Sequence, residues 1–279
     1  MIATIDEVTR WWDEHPCNLR HSQLPTDTLD FSREVTAAKF RAEPHLPGFA
    51  QFPRWTGKHV LEVGCGIGTT ALEFARSGAE VLALDVSSRA VEITRQRITA
   101  EGLNDRIDAQ VRDVETPIAP LYRRHQHAHR RIPDLIFSFG VIHHTPHPDR
   151  VLRQLHEVAD SHTELRVMVY HRWSTKALRL GLTERRVARG SEANPNTPIA
   201  RTFTRRSLVR LLRTTGWEPQ RTCVDHIFPY AVEHYTQTPR RYVRGFPWNA
   251  TPRPVFRVLE RVFGWHLLVV ARPAGERTC

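Results

Sequence analysis

Val60-Leu61-Glu62-Val63-Gly64-Cys65-Gly66-Ile67-Gly68 carries the clearest backbone signal in the chain. A short apolar run that ends in glycine reads as a buried parallel strand, here 59–64. It is followed at once by Thr69-Thr70-Ala71-Leu72-Glu73-Phe74-Ala75-Arg76-Ser77, a helical pattern closed by Gly78 at a C-cap position. Glycines at 64, 66 and 68 let the chain turn tightly and bring backbone amides against a ligand with no side chain in the way.

Working outward, the same rhythm repeats. Residues 80–85 (EVLALD) read as a second strand, 88–101 as a helix ending before Gly102, and 107–113 (IDAQVRD) as a third strand. A fourth strand is expected at 134–140 (DLIFSFG), a helix over 148–160, and a fifth strand at 164–171 (ELRVMVYH). Strand–helix alternation at this spacing implies right-handed crossovers. Past residue 172 the rhythm changes to a polar stretch containing Asn194-Pro195-Asn196-Thr197-Pro198, a helix at 204–215 closed by Gly216, and a strand near 217–225. A Pro- and aromatic-rich segment then precedes a last strand, 265–272. The expected class is α/β: a doubly wound, Rossmann-like, seven-stranded, mostly parallel sheet with an N-terminal helical cap and lid insertions. The expected divisions are a cap or lid over 1–55, a core over 56–172, a lid insertion over 173–202, and the rest of the core over 203–279 with a substrate-side insertion at 226–264. In the cap, Thr4-Ile5-Asp6-Glu7 has the form of a capping box, and Trp11 and Trp12 follow on that helix.

Composition bounds the rest. The chain has 279 residues, 40% hydrophobic and 25% charged, which is globular rather than disordered. Its net charge is +10, and all but three of its 40 cationic side chains are arginines. Guanidinium groups fork onto phosphates and carboxylates. These arginines are spread along the chain rather than blocked, so the codon usage of a GC-rich genome explains them better than a nucleic-acid surface. The apolar stretch Leu267–Ala271 falls far short of the roughly 20 residues a membrane span needs. The N-terminus lacks an apolar secretory core. Cys17, Cys65, Cys223 and Cys279 form no CxxC pair, which fits a reducing, cytoplasmic setting.

Two cofactors compete for the glycine turn. A dinucleotide fingerprint is GxGxxG, whereas here the spacing is GxGxG and the third position of that fingerprint is Thr69. Asp85 ends the second strand, where an acid accepts hydrogen bonds from ribose hydroxyls, and Asp113 ends the third. His125, His127 and His129 alternate in an Arg/His-rich segment, but no carboxylate or cysteine joins them. A solvated basic loop is the preferred reading there, an anion-binding loop the next, and no metal site is expected.

VLEVGCGIGTTALEFARSGAEVLALDVS followed by DLIFSFGVIHHTPHPDRVLRQL resembles a class I S-adenosylmethionine-dependent methyltransferase of the bacterial small-molecule kind, over about 58–172. The resemblance implies S-adenosyl-L-methionine as cofactor and S-adenosyl-L-homocysteine as product. By position it implies that Gly64, Cys65, Gly66 and Gly68 lie along the methionine part, with Glu62 anchoring that loop. It puts Asp85 on the ribose, Val86 beside the adenine, Asp113 at the adenine amino group and the Val114 amide at a ring nitrogen. Phe139, Gly140 and Val141 would line the cofactor at the end of the fourth strand. The enlarged segment 122–131 departs from the family's usual short turn.

Methyl transfer from a sulfonium is an in-line displacement, in which positioning supplies much of the barrier reduction. A general base is needed only if the acceptor must lose a proton. His143 and His144, after the fourth strand, and Tyr170 and His171, at the end of the fifth, are the candidate catalytic side chains. Trp11, Trp12 and Tyr230 are candidates for the acceptor pocket, with packing roles equally open to them. No Asn-Pro-Pro-Tyr/Phe run, Pro-Cys nucleophile or RNA-binding appendage occurs. The expectation is a small organic acceptor in secondary-metabolite biosynthesis, no nucleic acid, no membrane, and a homo-oligomer as an open option. An RNA- or protein-modifying methyltransferase and a non-catalytic adenosyl-binding module are the alternatives.

Overall fold

The computed structural model describes residues 3–123, 132–180, 197–235 and 241–275. Seven strands, β1 (His59–Val63), β2 (Glu80–Asp85), β3 (Ile107–Val111), β4 (Leu135–Phe139), β5 (Glu164–Tyr170), β6 (Trp217–Asp225) and β7 (His266–Pro273), form one sheet in the order β3-β2-β1-β4-β5-β7-β6. The first five run parallel, and β7 is antiparallel to both β5 and β6. The expected seven-stranded, mostly parallel sheet is therefore present. Strand order reverses between β1 and β4, and ligands of such sheets bind at the carboxyl ends beside that switch.

Strands β1, β2 and β4 alternate their burial between two cores. Leu61, Val63, Ile136, Leu165, Val167 and Val169 face one side, among residues such as Leu152, Leu155, Leu212 and Trp217. Val60, Ala83, Leu135 and Phe137 face the other, against Phe52, Trp55, Leu72 and Phe74. Helices Thr69–Arg76, Ser88–Ala100, Pro148–Glu157 and Arg205–Thr214 provide these covers within a few residues of the expected ranges.

The N-terminal stretch contains α1 (Ile5–Glu14) and α2 (Leu29–Ala42). The capping box at Thr4 forms as the sequence suggests: Thr4 N–H donates to Glu7 Oε2 at 2.8 Å, and Glu7 N–H to Thr4 Oγ1 at 3.3 Å. α1 is then fixed from its other end. The Asp13 carboxylate accepts from Ser87 Oγ at 2.8 Å and from the Arg89 amide at 3.1 Å, both at the N-terminus of the helix Ser88–Ala100. A carboxylate there meets free amides and the positive end of the helix dipole.

One expectation needs correction. The segment 226–264, read from its prolines and aromatics as irregular, contains the helix Arg253–Phe263. Pro252 and Pro254 sit where a helix start tolerates them. The helix buries Phe256 and leaves Val255, Val258 and Val262 about half exposed or more. No described helix is long and apolar enough to cross a membrane. His125, His127 and His129, Cys279, and residues 181–196 of the expected lid insertion lie outside the described residues.

Candidate active site

The glycine turn is built by backbone geometry. Gly64, Gly66 and Gly68 all have positive φ, at 73°, 54° and 82°. At Gly64 a Cβ would fall 2.1 Å from Val141 Cγ2, so the turn can pass beneath the loop after β4 only without a side chain. At Gly66 a Cβ would meet nothing within 4 Å. That carbon faces open space.

The turn is braced from below. Arg97, fully buried, donates through Nη1 to the Ile67 carbonyl and to Thr69 Oγ1 at 3.1 Å, and through Nη2 to Thr36 Oγ1 of α2 at 3.1 Å. Nothing in the sequence pattern marked Arg97, because a buried arginine looks like any other until its partners are in place. Glu62 is buried beneath the turn, where Oε1 accepts from Thr70 Oγ1 and Oε2 has no partner. Burial pushes its carboxyl up to about 8. Asp85 stands at the mouth of the turn, accepting from the Gly66 amide at 2.8 Å and the Ser87 amide at 2.9 Å, and burial raises its pKa.

Two cavities meet above the strand ends. The first is lined by Gly64, Cys65, Gly66, Asp85, Val86, Asp113, Val114, Phe139, Gly140 and Val141, and is roofed by Ile5, Val8 and Trp12 of α1. Its free volume, mouth included, is about 1060 Å³. The second, about 1190 Å³ on the same measure, is lined by Met168, Tyr170, Lys176, His226, Phe228, Trp265 and His266. Trp12, Lys39, Phe139, Gly140 and His144 line both.

The structure thus gathers ten of the twelve expected cofactor residues around one cavity. Glu62 and Gly68 do not line it: Glu62 lies beneath it, and Gly68 packs against Thr94. The four candidate catalytic side chains divide. His144 is at the junction, with Nδ1 on the Ile199 carbonyl and Nε2 at 3.4 Å from the Tyr170 hydroxyl. Tyr170 lines the second cavity, stacked on Trp265 with centroids 4.0 Å apart. His143 and His171 line neither cavity. His143 is completely buried beside Tyr170 with no partner on either ring nitrogen, and His171 is tied through Nδ1 to the Gly264 carbonyl at 3.1 Å. Burial lowers the pKa of all three histidines, that of His144 to about 4.

Among the pocket candidates, Trp12 lines both cavities and meets the His144 ring edge-on at 5.3 Å. Trp11 stacks on His15 instead, and Tyr230 donates its hydroxyl to the Arg41 carbonyl at 3.0 Å, packing the late segment onto α2. Lys39, Lys176, Trp265 and His266 escaped the sequence reading, whereas His226 falls in the segment 226–264 expected on the substrate side. Lys39, Lys176, His226 and the adjacent pair Trp265-His266 come from four separate segments, with no spacing that links them.

This geometry can be set beside known proteins. Residues 38–222, two-thirds of the chain, match the family model described as a methyltransferase domain. The chain belongs to that methyltransferase family. The family is the class I type that uses S-adenosylmethionine. Among curated relatives, the ubiquinone biosynthesis O-methyltransferase of Methylocella silvestris is 32% identical over 117 residues, 41% of this chain and 44% of that one. The first curated relatives are matched over 27%, 44% and 34% of their own lengths, so the likeness spans less than half of each. Among solved structures, the cyclase SpnF has a TM-score of 0.59 at 18% identity, covering 99% of this methyltransferase chain and 98% of its own. The magnesium protoporphyrin IX methyltransferase of Synechocystis, solved with bound SAM, has a TM-score of 0.55 at 14% identity, covering 98% and 100%. At such identities these two neighbours speak for the fold.

Proposed function

We propose that this methyltransferase moves a methyl group from S-adenosylmethionine to an oxygen of a small organic acceptor, in secondary-metabolite biosynthesis. The observation that carries the reading is the junction of the two cavities at Trp12, Phe139, Gly140 and His144. One cavity has an open glycine cradle with two carboxylates, and the other has aromatic and histidine walls. The O-methyltransferase names of the curated relatives support oxygen as the accepting atom.

The residues present fit the cofactor. The open space over Gly66 admits a ligand against its backbone, and the partnerless Glu62 Oε2 beneath the turn suits a nearby cation. Asp85 and Asp113 would take the ribose hydroxyls and the adenine amino group, with Val86 and the Val114 amide beside the ring. Lys39, which faces both cavities, would hold the carboxylate of the methionine part. When bound, the sulfonium supplies an electrophilic methyl group.

The chain's own residues do the rest. Ile5, Val8 and Trp12 close the first cavity against water, which strengthens every polar contact inside. Phe139 and Gly140 form the shared wall that sets the direction of approach. His144 donates Nδ1–H to the Ile199 carbonyl, which leaves Nε2 as its bare nitrogen at the junction. There it accepts a proton from the acceptor hydroxyl. Burial holds His144 neutral at pH 7 and also makes it a weak base, at about 4, so it takes the proton only as bond formation to the methyl group acidifies the acceptor oxygen.

Calorimetry with S-adenosylmethionine, S-adenosylhomocysteine and NAD tests the cofactor, and a labelled-methyl screen against phenolic and other hydroxylated acceptors tests the transfer. Binding of both adenosyl compounds and not of NAD is expected. The reverse preference overturns the reading.

A further inference from the structure

We propose that the second cavity is built for an aromatic acceptor that carries an anionic oxygen, such as a carboxylate, with Lys176 supplying the opposing charge and His266 a hydrogen-bond donor. This rests on the second cavity's being the acceptor site.

An aromatic cage can hold a cation on its ring faces. Here the protein's own ammonium is already there: Lys176 Nζ lies 4.4 Å from the centroid of Trp265 and 5.9 Å from that of Tyr170. A cationic guest would meet that charge at close range in a partly buried space, where like charges repel strongly. Among the described residues, the other charged groups facing the cavity are Glu14, Arg20, Lys39 and Glu43. Glu43 is committed to Lys39 at 2.7 Å, and Glu14 and Arg20 are exposed at the rim. Lys176 places its ammonium among the rings of the cavity.

The histidines point the same way. His45 Nε2 and His266 Nδ1 are 2.9 Å apart, and both rings lie beside His226, with centroids 4.9 and 4.7 Å away, the first stacked and the second tilted. Burial lowers the pKa of all three, His45 to about 3, so each is neutral and has one N–H. His45 Nδ1 is buried without a partner. An orphaned N–H is costlier there than a bare lone pair. His45 therefore donates from Nε2 to His266 Nδ1. His266 then keeps its proton on Nε2, its remaining ring nitrogen, in a residue that lines the cavity. A donor and an ammonium on one wall call for an oxygen with lone pairs and negative charge.

The test uses the full chain loaded with S-adenosylhomocysteine, titrated calorimetrically with hydroxynaphthoate, its neutral amide and naphthylmethylamine. Hydroxynaphthoate is expected to bind at least tenfold more tightly than the amide, and the amine more weakly still. Lys176→Gln should remove that preference by weakening the naphthoate alone, and Lys176→Arg should restore most of it. Equal or tighter binding of the amide or the amine overturns the proposal. So does failure of the naphthoate to bind, or a Lys176→Gln variant that keeps the preference or loses both ligands equally. Failure of S-adenosylhomocysteine to load would instead overturn the cofactor reading; loading without charge preference overturns only this inference.

Discussion

A carbon added at residue 66 would project into free space, whereas the same carbon at residue 64 would collide with Val141. The two glycines therefore answer to different tests. Gly66→Val forces a branched residue into positive φ, a strain of about 1–2 kcal/mol, and fills the cradle. Its S-adenosylhomocysteine affinity should fall at least tenfold with the fold retained, as should that of Asp85→Ala. Unchanged affinity in both would remove the cofactor from this cavity. The neighbouring histidines separate in the same manner. His144→Ala should lower turnover by about 10²-fold or more and leave S-adenosylhomocysteine affinity within a few-fold. His143→Ala hollows the core instead, and its loss should appear as stability, about 2–4 kcal/mol by analogy with other core truncations. Thermal melts beside kcat would expose the opposite pattern.

α1 carries three residues that roof the first cavity, yet within the helix itself it buries only Val8. An amphipathic helix with so small a buried face depends on its tether. That tether is Asp13 on the N-terminus of the helix Ser88–Ala100. Asp13→Ala should speed amide hydrogen exchange across 5–14 while β1–β5 keep their protection. Weaker S-adenosylhomocysteine binding should follow, on the order of fivefold. Unaltered exchange would mean that packing alone holds α1. The capping box at its start was legible in the sequence because it is a local pattern. The Asp13 contact was not, since its partners lie more than seventy positions away.

Across the whole molecule, His45, His143, His144, His171, His226 and His266 all have lowered pKa values, chiefly through burial. The unfolded chain protonates them near the ordinary histidine value of 6.5, while the folded chain resists down to about 3 for His45 and about 4 for His144. Below that value the unfolded state binds more protons, so stability falls with falling pH. Glu62 and Glu260, raised by burial to about 8 and about 7, pull the other way over the same window. They are fewer than the histidines. The melting temperature should therefore drop between pH 7 and pH 5, with net uptake of more than one proton on unfolding. A flat profile would contradict the buried neutral cluster.

The strands, their helices, the glycine turn and Asp85 were all readable from the chain, because burial on a sheet imposes a period of two and a tight turn imposes glycine within a few residues. These are short-range constraints, and each leaves its mark beside the residue it governs. The helix Arg253–Phe263 was missed because its prolines lie at its start, where they read as breakers. The wall of the second cavity was decided by tertiary structure. Lys39 of α2, Lys176 after β5, His226 after β6, and Trp265 and His266 at the start of β7 meet only because antiparallel β7 is inserted between β5 and β6. No local pattern records that insertion, since it joins groups by distance through the fold rather than along the chain.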